Sequence, residues 1–232
     1  MTHDHAPARR DAIVLLSGGI DSAVLACDLQ SQGFTVHGLA FDYGQRHAVE
    51  LHHAVAVADR LRAGLTVLRL PAGLFSGGQS SQVDGVAVPE GHHESESMRA
   101  TIVPGRNLAL LALAAARAEA LGYGFVGYAA HRGDHAVYPD CRPQFAEHAR
   151  AAIAASTDGR VDLVAPYLLM DKAEVVARGA RVGAPLAETW SCYAGGMVHC
   201  GRCGACTERR GAFVAAGVGD PTAYLPPRTT TQ

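Results

Sequence analysis

Two groups of residues in this chain have the types and spacing to do chemistry. The first is Ser17-Gly18-Gly19-Ile20-Asp21-Ser22, directly after the apolar run Ala12–Leu16. Adjacent glycines let a backbone turn sharply and come close to a ligand. Successive N–H groups then face one concavity, and a following helix adds its unpaired N–H donors and positive end. The hydroxyls of Ser17 and Ser22 supply further hydrogen bonds. The pattern is that of a phosphate loop, but not the one that ends in Gly-Lys-Ser/Thr, since it holds no lysine. Asp21 either caps the helix or helps to hold a divalent ion through water. The second group is Cys192, Cys200, Cys203 and Cys206, four thiols within fifteen residues. Four thiolates surround one tetrahedral zinc and leave no open position, so the ion would be structural. An iron–sulfur cluster and an RNA-gripping zinc ribbon are the alternatives. Arg202, Arg209 and Arg210 lend the second of these some charge. With four cysteines filling the shell, His199 is a bystander or a group behind the ligands.

These residues must be positioned by regular elements, and the apolar pattern predicts which. Ala12–Leu16 reads as a buried strand, and Ala23, Val24, Leu25 and Leu29 have helical spacing, ended by Gly33. Phe34–Phe41 is a second strand, His47–Ala63 a helix and Leu65–Leu70 a third strand. Asn107–Leu121 is a helix with Asn107 suited to its N-cap, and Gly124–Ala129 is the fourth strand. Pro143–Ala155 is helical, Val161–Val164 is a fifth strand, and Asp171 is placed to cap a helix that runs to Arg181. A last helix spans Thr207–Ala216. Strands alternating with helices imply an α/β fold with a doubly wound parallel sheet. The expected divisions are a disordered tail at 1–11, a nucleotide-binding α/β domain at 12–185, a zinc-binding lobe at 186–220 and a C-terminal tail at 221–232. Residues 73–99, rich in Gly, Ser, His and Glu, interrupt the pattern as a mobile lid, with His92 and His93 solvated. His3 and His5 fall in the solvated N-terminal tail.

Composition narrows the function classes. The chain has 232 residues and a formal net charge of −2, which predicts no strong field for nucleic acid. No apolar stretch approaches the ~18–20 residues that a membrane span needs. Nothing at the N-terminus has the apolar core of a signal peptide, so the expected location is cytoplasmic. In a reducing compartment clustered cysteines read as a metal site rather than a disulfide framework.

The loop Ser17–Ser22 resembles the SGGxDS motif of the PP-loop ATP pyrophosphatases. Further segments make the resemblance more specific. They are Phe41-Asp42-Tyr43-Gly44-Gln45-Arg46-His47, Val103-Pro104-Gly105-Arg106-Asn107, Tyr138-Pro139-Asp140-Cys141-Arg142, and Thr189-Trp190-Ser191-Cys192-Tyr193 with the remaining cysteines. Together, from Ile13 to about Phe213, they are similar to the 7-cyano-7-deazaguanine synthases, the QueC family. The resemblance implies that Leu16, Ser17, Gly18, Gly19, Ile20, Asp21, Ser22 and Ala23 hold ATP. It implies substrate contacts at Asp42, Tyr43, Gln45, Arg46, Arg106, Asn107, Tyr138, Asp140 and Arg142. Asp21, Ser22, Arg106, Asp140 and Arg142 are the candidate catalytic residues. Arg106 would face phosphate or adenylate, Asp140 would accept from the deazaguanine edge, and Arg142 would pair with the substrate carboxylate.

The implied activity is that of a ligase forming C–N bonds. The carboxylate of 7-carboxy-7-deazaguanine attacks the α-phosphate of ATP, ammonia converts the acyl adenylate to an amide, and a second activation gives the nitrile. Mg²⁺ with ATP, one structural Zn²⁺ and a homodimer are implied as well, and no nucleic acid or membrane partner. Cys141 is a tempting nucleophile, but acyl-adenylate chemistry needs none. Competing readings are another adenylating PP-loop enzyme, such as a tRNA-modifying ligase or a defence-system relative, and a zinc-ribbon binding module without catalysis.

Overall fold

Strands buried on both faces carry continuous apolar runs, and here the runs divide by alternation between two cores. The computed structural model describes residues 10–92 and 96–226. Most of the expected N-terminal tail with His3 and His5, His93, and the end of the expected C-terminal tail lie outside the described residues. Strand β1 (Asp11–Leu15) sends Ala12 and Val14 to one core and Ile13 to the other. Strand β2 (Thr35–Asp42) likewise sends Val36 and Ala40 to the first and Leu39 and Phe41 to the second. With β3 (Gly64–Arg69), β4 (Phe125–Gly127) and β5 (Asp162–Val164), the described residues form a five-stranded parallel sheet in the order β3-β2-β1-β4-β5.

Helices α1 (Ile20–Ser31), α2 (Val49–Leu61), α5 (Lys172–Val182) and α6 (Gly204–Ala215) pack on the first core. Helices α3 (Arg106–Ala120) and α4 (Pro143–Ser156) pack on the second. The sheet is therefore doubly wound, as its pattern predicts. The chain leaves β1 toward β2 and β3, then returns to β4 on the opposite side. Strand order reverses beside β1, and an open α/β sheet presents its ligand crevice at such a reversal, at the carboxyl ends of the strands.

Local details depart from the expected elements in three places. Helix α6 begins at Gly204, so Cys206 lies in its first turn rather than in a loop, with Cys203 extended at the N-cap. Asn107 is not an N-cap. Gly105, at φ +68°, takes that position because the sharp turn after Pro104 needs the left-handed region, and Asn107 sits inside α3 with its amide turned to Tyr128. Asp21 does not cap α1 either, because Gly19 is the N-cap and Asp21 falls within the first turn. Asp171 does cap α5, in a reciprocal box with Glu174.

The segment after β3 folds through turns rather than regular elements. Ser80, Ser81 and Gln82 are buried, and the Gln82 carbonyl accepts the Arg46 N–H at 2.8 Å. A 3-10 turn over Glu96–Thr101 buries Met98. Glu90 pairs with Arg202 at 3.1 Å, so this segment reaches the cysteine region. No helix among the described residues is long and apolar enough to cross a membrane.

Beneath the sheet's first face, Asp28 is buried and accepts from Arg178, from Gln32 at 3.2 Å and from Tyr167 at 3.0 Å. Burial raises its carboxyl, but hydrogen bonds from Arg178, Gln32 and Tyr167 outweigh burial and hold it below the ordinary carboxylate range. A depressed folded pKa stabilises above the unfolded value, near pH 4, and that stability is lost as pH falls through the folded value. Asp28→Asn should therefore cost about 1–3 kcal/mol at pH 7 and flatten the loss of stability below about pH 4. Urea titrations across that range check this, and parallel pH profiles for the two proteins would refute it.

Candidate active site

The loop at the carboxyl end of β1 is built around one residue with no room for a side chain. Gly18 has φ +86°, and a Cβ there would lie 2.3 Å from the Glu50 carbonyl oxygen and 2.7 Å from the Ala54 nitrogen. Ser17 Oγ accepts the Gly19 N–H at 3.2 Å, and Ser22 Oγ lies 3.2 Å from both Ser17 Oγ and the Gly19 carbonyl. Helix α1 starts next, with no side chain capping its first N–H groups. Those donors are thus free for an anion at the helix end. Leu16, Ile20 and Ala23 are fully buried and support the loop from the core side.

A cleft opens over this loop, lined by Ser17, Gly19, Asp21 and Ser22 at its base. One side carries Tyr43, Arg106, Asn107, Tyr128 and Cys141. Arg106 donates from Nη1 to Tyr43 Oη at 3.0 Å. Burial draws its guanidinium down, but Tyr43, Glu50 and Tyr193 outweigh that and hold it charged. Asn107 Nδ2 donates to Tyr128 Oη at 3.0 Å, and Tyr128 donates to the Asp140 carbonyl at 2.7 Å. Burial, with Asp134 and Asp140 nearby, pushes the Cys141 thiol well up, so it stays protonated. The other side is an acidic corner. Lys172 Nζ lies 2.6 Å from Asp21 Oδ2, 3.3 Å from His131 Nε2 and 3.8 Å from Glu208 Oε2. His131 Nε2 lies 3.4 Å from Asp134.

The third side comes from the cysteine region. Trp190, Ser191, Tyr193, Ala205 and Glu208 line the cleft, and the Trp190 N–H donates to the Gly18 carbonyl at 2.9 Å. Trp190 stacks on His53 with ring centroids 5.2 Å apart. Behind them the four cysteines are buried, with their sulfurs within 4.8 Å of one another. Cys200 Sγ and Cys206 Sγ are 3.9 Å apart. The edge of a tetrahedron with Zn–S bonds of ~2.3 Å is roughly 3.8 Å, so the four can hold one metal ion of that size. Backbone N–H groups of Cys200, Arg202 and Cys203 point at Cys192 Sγ and Cys200 Sγ at 3.3–3.4 Å, as suits thiolate charge. His199 Nε2 accepts the Ser191 N–H at 3.1 Å, and burial lowers its pKa to about 4, so it remains a neutral acceptor.

Arg209 on α6 ties this region to the cleft wall. It is 1% exposed and donates to Thr189 Oγ1 at 2.9 Å, Ser191 Oγ at 3.1 Å, the Leu186 carbonyl at 3.1 Å and Thr222 Oγ1 at 2.6 Å. Asp220 lies 3.7 Å away as its counter-charge.

The structure brings Ser17, Gly19, Asp21, Ser22, Tyr43, Arg106 and Asn107 onto one cleft and places other candidates elsewhere. Asp42 faces outward toward Arg69 at 3.8 Å. Gln45 is buried and pins the turn after β2 through Tyr43 N, the Phe41 carbonyl and Glu50. Arg46 donates to the Val86 carbonyl at the surface. Tyr138 stands behind the wall, 2.6 Å from Thr101 Oγ1 and 3.4 Å from Tyr193 Oη. Asp140 uses its backbone to hold Tyr128, and exposed Arg142 donates to the His135 carbonyl at 2.9 Å. Sequence reasoning passed over His47, Glu50, Tyr128, His131, Asp134, Lys172, Trp190, Tyr193 and Glu208 as cleft residues. A signal existed for Lys172, since the chain has no other lysine. His131 and Asp134 stood in a dense polar run, residues 131–135, just past β4.

Residues 11–217 match the family model described as queuosine biosynthesis protein QueC. A curated relative named 7-cyano-7-deazaguanine synthase, from Rhizobium etli, is 48% identical over 216 residues, 91% of this chain and 91% of that protein. One of the same name from Marinobacter nauticus is 44% identical over 214 residues, covering 91% of this chain and 96% of that protein. Among solved structures, NMN synthetase from Francisella tularensis overlays at a TM-score of 0.47 and 14% identity, over 96% of this chain and 90% of that one, a likeness too slight to carry further weight.

Trp190 is the chain's one tryptophan, so its emission reports on the cleft wall. Arg209→Ala removes the counter-charge of Asp220, leaving it with the Thr222 N–H and the Tyr224 hydroxyl, and frees the 186–191 segment. Leaving the buried acceptors at Leu186 and Thr189 unpaired should cost about 1–3 kcal/mol and shift Trp190 emission to the red as the ring becomes wetter. Unchanged emission together with an unchanged melting temperature would count against this link.

Proposed function

The chain belongs to the QueC family of queuosine biosynthesis proteins, and on that premise we propose that it makes 7-cyano-7-deazaguanine from 7-carboxy-7-deazaguanine and ammonia at the expense of ATP. The observation that carries this reading is one cleft that joins an anion-binding loop, a buried guanidinium and a hydrogen-bonding wall.

In this reading the phosphates of ATP lie over Ser17–Ser22. The substrate carboxylate attacks the α-phosphorus, a P–O bond forms, and pyrophosphate leaves. Ammonia then adds at the acyl carbon, a C–N bond forms, and AMP leaves with one proton passed to solvent. A second ATP then adenylates the amide oxygen, a P–O bond forms, and pyrophosphate and a proton leave; loss of AMP and a further proton leaves the nitrile. Charge accumulates on phosphate and carboxylate oxygens, so fixed N–H donors and cations are what the protein must supply. Arg106 faces the cleft and stays charged, which favours it over Arg142 as the partner of the carboxylate or adenylate. Tyr128 and Asn107 offer a polar edge for the flat heterocycle, and Tyr43 and Tyr193 its apolar flanks. Cys141, held as a thiol, takes no covalent part.

Two metals belong to the proposal. Zinc held by Cys192, Cys200, Cys203 and Cys206 is structural, because four thiolates leave no place for a reactant. The buried Asp21 Oδ1 has no hydrogen-bond partner, an acceptor suited to Mg²⁺ or its water, and the ion would neutralise phosphate charge. Residues 12–185 act as the nucleotide-binding unit and 186–220 as the metal-held lobe, within a cytoplasmic homodimer.

Purified protein given ATP, Mg²⁺, ammonia and the carboxylic acid should yield the nitrile by mass spectrometry, with the amide appearing first. Zinc-replete protein that gives neither would end the proposal. Arg106→Ala should lower kcat/KM on the order of 10²–10³-fold, whereas Arg142→Ala should change it little. The reverse ranking would return the carboxylate to Arg142. Cys200→Ser should lower the ratio of zinc to protein, and an unchanged ratio in elemental analysis would count against the ligand set.

A further inference from the structure

His47 lines the cleft together with Tyr43, Glu50, Arg106 and Tyr193. Its side chain is 7% exposed, and its Nε2 lies 3.0 Å from Glu50 Oε2. Short-range geometry builds this pair. His47 stands just ahead of α2 and Glu50 in its first turn, three residues on, and the Glu50 N–H donates to the His47 carbonyl at 2.9 Å. Gln45 Nε2 donates to Glu50 Oε1 at 3.1 Å, so each carboxylate oxygen has a partner. An ionised carboxylate only accepts, so Nε2 carries the proton and Nδ1 of the neutral ring keeps a lone pair. That Nδ1 is buried and has no hydrogen-bond partner. Buried polar atoms are nearly always paired, so an unpaired basic nitrogen on a residue that lines a reaction cleft calls for an occupant or a task.

Making a nitrile sets a demand that the phosphate-directed groups cannot meet. Both protons on the amide nitrogen must leave, and cations and N–H donors accept none. Arg106 stays charged, and Cys141 keeps its own proton. A histidine whose far nitrogen is held by a carboxylate is the arrangement of a general base. It stands near the proposed partner of the adenylate, because Arg106, opposed by burial, is kept charged by Tyr43 and also by Glu50. We propose that His47 is a catalytic residue, the base that takes the last N–H proton from the adenylated amide, and that Glu50 is its positioning residue. In that step the N–H bond breaks and its electron pair becomes the second π bond of the nitrile. The C–O bond breaks, and AMP leaves with those electrons. The proton goes to His47 Nδ1, and the Glu50 carboxylate stabilises the imidazolium until it passes the proton to solvent. The amination has less need of His47, since ammonia in excess can serve as its own base. The inference rests on reading the cleft as the site of nitrile formation.

The two halves of the reaction can be timed apart on the full-length protein with ATP and Mg²⁺, one from the carboxylic acid with excess ammonia and the other from the amide alone. His47→Gln replaces the ring with a side chain that can still donate to Glu50 but has no basic nitrogen. It should slow amide-to-nitrile conversion roughly 10²–10³-fold and acid-to-amide conversion far less, so that amide builds up. Glu50→Gln keeps an oxygen for the Nε2–H and removes the charge, and should slow the same half about tenfold. If His47→Gln does not fold, Glu50→Gln decides by the same comparison. Both halves slowed alike in the folded variant, or neither slowed, would overturn the role of His47 and leave the proposed reaction intact. Wild-type protein that turns over neither the acid nor the amide would overturn both.

Discussion

Gly18 is the point at which three parts of the molecule meet. Its Cα lies against the backbone of α2 at Glu50 and Ala54, its carbonyl takes the Trp190 N–H, and its own peptide units begin the loop. No side chain fits there, and the positive φ excludes most residues in any case. The loop is thus clamped between a helix of the α/β layer and the strap that leads to the cysteines. That strap is in turn held by Arg209, whose donors run to Leu186, Thr189 and Ser191. The shape of the Ser17–Ser22 loop and the integrity of the cysteine region are one mechanical problem, because the same short segment, 186–191, serves both.

The electrostatics follow from burial with compensation. The cleft holds two permanently charged cations, Arg106 and Lys172, each desolvated and each kept charged by named neighbours. Charges held this way act over short distances in a poorly screened space, so their effect on a developing oxyanion exceeds that of surface arginines. Asp28 is a buried charge of a different kind. It sits under the sheet, bound by Arg178 and Tyr167, and serves the packing of α1 on α5 rather than the cleft.

The elements themselves were legible in the sequence because local forces set them. Alternating and continuous apolar runs marked all five strands, within a residue or two of their ends, and Asp171, suited to an N-cap, marked the start of α5. The loop at 17–22 and the four cysteines were legible because a close backbone approach demands glycine and because four thiols at short spacing can converge on one point. Errors arose where a side chain had two local uses. Asn107 caps helices well, but Tyr128 claims its amide, and α6 starts early because Cys203 turns its own backbone into the cap.

By itself, then, the sequence determined the α/β class, the glycine turn at Ser17–Ser22 and the grouping of four thiols, because each depends on neighbours along the chain. What only the tertiary structure decided is which polar residues share the cleft. Asp21 and Lys172 are 151 positions apart, and Glu208 on α6 and His131 in the turn after β4 come from separate elements, yet they surround one ammonium. Arg142 and Asp140 lie in a motif as suggestive as any, yet the 3-10 turn at Pro139–Cys141 puts the guanidinium of the first at the surface and commits the backbone of the second to Tyr128. The direction of a side chain at a turn depends on backbone torsions and packing partners from distant segments, and spacing along the chain carries no record of either.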